Sequence, residues 1–85
     1  MTDLSQLREK IDAVDAQLTA LLKERMALSA DVAECKAAAW IAVCDPAREA
    51  AILEKVAAVC PEAVPVYRAI LEASRAKQQE ILNAK

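Results

Sequence analysis

The chain has 85 residues, which bounds it to one small domain with a thin core. It is 56% hydrophobic but only 2% aromatic, with no Gly, Phe or His, so Ala and Leu carry the apolar content, a composition that favours helix and offers little for a sheet. The net charge of -2, with Lys and Arg dispersed, leaves no electrostatic footprint for nucleic acid; no apolar run is long enough to span a membrane and no signal-peptide pattern opens the chain, so a soluble, cytoplasmic protein is expected.

The first predicted element is one unbroken helix from Leu4 to about Ala39, free of Pro and Gly. Asp3 is placed to cap it, with Gln6 as its capping-box partner. Leu4, Leu7, Ile11, Val14, Leu18, Leu21, Leu28, Val32, Cys35 and Ala39 alternate at spacings of three and four, the pattern of a helix burying one long seam. Arg25 occupies one slot of that series. A guanidinium there is costly unless it meets an anion or snorkels to water. A helix of this length spans roughly 54 Å, whereas a compact chain of this size has a radius of gyration of about 12 Å. The helix must then overhang its own domain with a bare apolar seam. The simplest cover is a second copy, hence an intertwined homodimer.

Trp40-Ile41-Ala42-Val43-Cys44 breaks the helical pattern and is apolar for a connection, so a loop pressed against protein is expected. Asp45-Pro46 is a strong helix start, an N-cap followed by Pro at the first helical position. The second helix runs to about Val59 with Ile52, Leu53 and Val56 inward, and Pro61 ends it. A third helix begins between Glu62 and Val66 and continues to about Asn83. Its stripe is Tyr67, Ile70 and Leu71, then Ser74 and Gln78, then Ile81 and Leu82. Without repeats or linkers, residues 1–85 read as a single all-α domain of three helices. Cys35, Cys44 and Cys60 lack metal-ligand spacing and read as reduced thiols, Cys35 as a small core residue. The absence of His removes the usual general base and the common nucleophile pairs, so no metal site is expected and any enzyme here works without them.

Helical geometry tests which polar groups can converge. Lys36 follows Arg25 by about 1100° of rotation, only some 20° past three turns, so the two share a face about 16 Å apart. An elongated anion fits between them. Arg8 lies roughly 26 Å from Arg25 along the axis and about 100° off its face, so it can serve the same site only from a second subunit. Taken singly, Arg8 and Lys36 also fit ordinary exposed positions. Ser74 and Gln78, four apart inside an apolar stripe, are a buried hydrogen-bonded pair, a stripe edge facing water, or the neutral wall of a site. Asp45, Arg48 and Glu49 are either a cap with a surface ion pair or an anion and hydroxyl site at a positive helix terminus.

Leu7-Arg8-Glu9-Lys10-Ile11-Asp12 with Asp15, then Glu24-Arg25-Met26 and Val32-Ala33-Glu34-Cys35-Lys36, resemble the opening of the all-helical chorismate mutases. Asp45-Pro46-Ala47-Arg48-Glu49 is similar to the family's Asp-x-x-Arg-Glu motif, and Ser74-Arg75-Ala76-Lys77-Gln78 to its Ser-x-x-x-Gln. The lead into Asp45 is more apolar than the family pattern. Each motif alone is weak; together, in order, they cover essentially the whole chain. The resemblance implies an interlaced homodimeric helical bundle whose long first helices cross, two active sites each completed by an Arg from the neighbouring subunit, and rearrangement of the chorismate dianion to prephenate on the way to Phe and Tyr, with no cofactor. It implies that Arg25 and the partner's Arg8 bind substrate carboxylates, helped by Arg48 and Ser74. Glu49 and the neighbourhood of Asp45 hold the ring hydroxyl, and Lys36 and Gln78 donate to the ether oxygen. Two other readings stand beside this one. An isochorismate-pyruvate lyase would use the same fold and similar cations. A non-catalytic helical dimerisation module explains the seam but not Arg25, Ser74 and Gln78 on apolar stripes.

Overall fold

The computed structural model describes residues 3–84. They form three α-helices, α1 (Leu4–Ala39), α2 (Pro46–Val59) and α3 (Val64–Asn83), with a short 3-10 turn at Pro61–Ala63 and, among the described residues, no strand. Each boundary has a local cause. Asp3 accepts from the Gln6 N–H at 2.8 Å while the Gln6 side chain accepts from the Asp3 N–H at 3.2 Å, which closes the capping box of α1. Asp45 accepts from the Arg48 N–H at 3.1 Å and Pro46 occupies the first turn of α2. Cys60 is extended ahead of Pro61, so α2 stops at Val59.

α3 lies between its two neighbours, packing on α1 and on α2, while α1 and α2 do not pack directly on each other. Only the C-terminal half of α1 is covered. The seam is bare in the single chain: Leu4, Ile11, Val14 and Leu21 are each at least 58% exposed, and Leu28, Val32, Cys35 and Ala39 are exposed as well. The stripe drawn in is instead the adjacent one, with Ser29 and Ala33 buried and Leu22, Met26, Ala30 and Ala37 half-buried. Small residues at 29, 30, 33 and 37 let α3 approach closely. The expectation that Cys35 is a core residue therefore fails for the single chain, since it lies on the seam rather than on the stripe facing α3. The chain measures 57 × 25 × 14 Å with a radius of gyration of 16.2 Å, well above the roughly 12 Å of a compact chain this long.

The loop after α1 also differs from expectation. Trp40 is 96% exposed, Ile41 is exposed, and only Val43 is tucked in. The bend that carries them is made by Trp40 itself, which caps α1 in the left-handed region at φ 58° and ψ 35° because no Gly is present to do so. That conformation costs a residue with a Cβ about 1–2 kcal/mol, and an exposed ring has no packing to offset it. Trp40→Gly is expected to stabilise the fold by about 1 kcal/mol, raising the thermal midpoint by a few degrees in a circular dichroism melt. An unchanged or lower midpoint would show that the Trp40 ring is held by contacts outside the single chain.

Candidate active site

Where α1, α2 and α3 come together they leave an open cleft of about 470 Å³, within the range of small-ligand sites. Seven of the eight residues singled out from the sequence line it: Arg25 and Lys36 from α1, Asp45 as the cap of α2, Arg48 and Glu49 from α2, and Ser74 and Gln78 from α3. Arg8 does not; it lies exposed on the overhanging part of α1.

Arg25 is half-buried, its guanidinium carbon 5.6 Å from the centre of the Tyr67 ring of α3, a cation–π contact that holds the charge at the end of the cleft. Its place in the apolar series thus has a local explanation: the side chain leaves the bare seam for α3. At the far end, Lys36 Nζ donates to the backbone carbonyl of Val43 at 2.7 Å and to Gln78 Oε1 at 2.9 Å. An ammonium has three protons, so one remains for the cleft. Gln78 Nε2 donates to Ser74 Oγ at 3.3 Å and keeps its second N–H. This orientation of the amide follows from the bonds around it. Lys36 and Gln78 are therefore both fixed by protein contacts and both hold one donor in reserve.

Two residues that the sequence reading passed over complete the walls. Ser29 Oγ lies 2.7 Å from Ser74 Oγ and donates to the Arg25 carbonyl at 3.1 Å. With the Ser29 proton on that carbonyl, Ser74 is the donor between the two hydroxyls. A chain of bonds thus runs from Lys36 through Gln78 and Ser74 to Ser29, tying α3 to α1. Ser74 is free to donate to a ligand only when Ser29 turns its own proton towards it. Ser29 had a legible signal: it falls between Arg25 and Lys36 on the same helix face, at spacings of four and seven. The second residue, Arg75, lines the cleft and bonds Glu49 through Nη1 to Oε1. Glu49 pushes the guanidinium of Arg75 above the ordinary arginine range, first through this hydrogen bond and also through its charge. No local pattern pairs these two positions, which lie on different helices.

The cleft wall thus carries four cations (Arg25, Lys36, Arg48, Arg75) against two carboxylates (Asp45, Glu49). No cluster of three or more potential metal ligands forms among the described residues, and no described helix is long and apolar enough to cross a membrane. A three-helix fold around a net-positive cleft with fixed neutral donors defines the class: a helical protein whose site is suited to a small, multiply charged anion.

Comparison with known proteins narrows that class. The family model for chorismate mutase type II matches residues 7–79. The chain is 31% identical over 86 residues to a chorismate mutase of Methanocaldococcus jannaschii, covering 93% of this chain and 87% of that protein. It is also 31% identical over 91 residues to a bifunctional chorismate mutase/prephenate dehydratase of Aquifex aeolicus, covering 95% of this chain but 25% of that protein. No solved structure matches the chain significantly. The chain belongs to the chorismate mutase type II family.

Proposed function

We propose that the protein is a chorismate mutase, an isomerase that converts chorismate to prephenate. The observation that carries this reading is the cleft itself: Lys36 and Gln78, bonded to each other, present spare donors at one end, and Arg25 sits at the other. The reaction is a single unimolecular step. The ether C–O bond breaks as a new C–C bond forms, and no atom leaves, so no nucleophile, base or cofactor is required. Two demands remain, and the residues present suit both. The flexible dianion must be held in its folded, reactive conformer. Arg25 and Arg48, with Ser74, take its carboxylates, and Glu49, with the region of Asp45, accepts the ring hydroxyl. Negative charge growing on the ether oxygen must then be stabilised by donors already in place; Lys36 and Gln78 supply them. A millionfold acceleration corresponds to about 8 kcal/mol. Conformer selection and two charge-assisted or prearranged donors together are of that order.

The working unit in this reading is a homodimer. The bare Leu and Ile seam over the first half of α1 supports it, because so long a row of exposed apolar side chains has no cover within the chain. With two α1 helices crossing, Arg8 of one subunit completes the cleft of the other and adds a further cation for a carboxylate.

Purified protein should consume chorismate, followed by loss of its ultraviolet absorbance, with prephenate as the identified product. Pyruvate released from isochorismate, with chorismate untouched, would establish a lyase instead. The dimer should unfold and dissociate together, so its melting temperature should rise with protein concentration. A stable folded monomer in sedimentation at micromolar concentration would exclude the interlaced form.

A further inference from the structure

We propose that Arg75 is a positioning residue of the mutase site, fixing the Glu49 carboxylate by one oxygen so that the other faces the ligand, and cancelling a charge that a dianion would otherwise meet. The inference rests on the mutase reading and deepens it.

Glu49 stands in the first turn of α2 and is half-buried at the cleft wall. A lone carboxylate there is a poor neighbour for a dianionic substrate, because like charges repel most where water is scarce. It is also a mobile group, with freedom to lose before it can accept a hydroxyl proton in one fixed place. Arg75 answers both problems. It reaches across from α3 and bonds Glu49 Oε1, and in this proposal Oε2 is the oxygen that accepts from the ligand. Its planar fork sets direction as well as charge, which a lysine does not. The pair crosses between two helices, since Glu49 and Arg75 are 26 residues apart, so it also fixes α2 against α3 at the level of the site. Arg75 directly follows Ser74, whose hydroxyl is tied to Ser29 and Gln78. The same turn of α3 therefore holds both the neutral wall and the partner of Glu49. The hydrogen bond from Glu49, and then its charge, hold the Arg75 guanidinium above the ordinary arginine range.

The proposal separates from direct substrate binding by a double-mutant cycle. Arg75→Met keeps the apolar stem and removes the charge. It should lower kcat/KM for chorismate about tenfold, with KM raised. Glu49→Gln should also lower kcat/KM. If Arg75 acts through Glu49, the double variant should lose no more than the worse single variant. Losses that multiply would mean that Arg75 meets the substrate itself, and overturn the positioning role. Arg75→Lys keeps the charge without the fork. It should hold KM near that of the wild type while kcat falls. Should Arg75→Met fail to fold by circular dichroism, this split decides alone, and a Lys variant with both constants unchanged would overturn the proposal. A wild type that leaves chorismate unconverted overturns the mutase reading, a result distinct from any ratio among the variants, and removes the role of Arg75 with it.

Discussion

Lys36→Ala and Arg8→Ala are each expected to lose chorismate turnover by about 10²–10³-fold, and to restore one another when combined. Lys36 is held by the Val43 carbonyl and by Gln78, with its third proton free for the ether oxygen, so its removal takes away both a donor and the group that orients Gln78. Arg8 touches nothing in the cleft of its own chain and lies exposed on the overhang. Its loss should be as severe only if it works across the dimer. Refolding the two variants together in equal amounts gives about half mixed dimers if pairing is random. Each mixed dimer has one site with its own Lys36 and a partner's Arg8, and one site with neither. Activity should then return to about a quarter of wild type. No recovery, with mixed dimers confirmed by mass, would place the function of Arg8 within its own subunit or in structure alone.

Gln78→Glu should convert a pH-insensitive site into an acid-dependent one. The amide now accepts from Lys36 through Oε1 and donates to Ser74 through Nε2, with one N–H in reserve. An ionised carboxylate in its place keeps the bond to Lys36, loses every donor, and sets a negative charge near an oxygen that is becoming negative. Turnover at neutral pH should fall by about 10²-fold or more. A protonated carboxyl regains one donor. The neighbouring Lys36 favours the ionised form, whereas burial and the bound dianion favour the protonated one. The sign is settled in either case: activity of the variant should climb as pH falls, until the fold itself fails. The wild type should lack that acid-side gain, since an amide does not titrate. Steady-state kinetics from about pH 4.5 to 8, with circular dichroism to follow folding, reads the difference. Parallel profiles for the two proteins would remove Gln78 from the ether-oxygen role.

Much of this site is visible in the sequence, and the gaps have a common cause. Arg25, Ser74 and Gln78 stand out because each is polar in an apolar stripe, and Lys36 because helical rotation returns it to the face of Arg25. Asp45 and Arg48 stand out through the cap of α2. Ser29 is marked only by the helix face it shares with Arg25 and Lys36, and nothing marks Arg75 until its partner on another helix is known. The loop at 40–44 misleads for the opposite reason: its apolar residues suggest burial, yet Trp40 and Ile41 point outward. The α1 series marks a seam that the single chain leaves bare, as expected, but it does not mark the stripe beside it on which α3 packs, where Ser29 and Ala33 are small enough to admit it.

By itself the sequence determined the helices and their ends, because capping, proline geometry and helical periodicity act within a turn or two of chain. It also determined that α1 is too long for its own domain, since rise per residue and compact size are both set by length. Tertiary structure alone decided which stripe of α1 meets α3, and with it the bonds from Lys36 to Gln78 across 42 residues and from Ser29 to Ser74 across 45. It alone paired Arg75 with Glu49. The physical reason is that helix periodicity places a side chain on a face but leaves open the face it meets; that depends on the steric fit of small residues where two helices cross, a property of the pair and not of either segment.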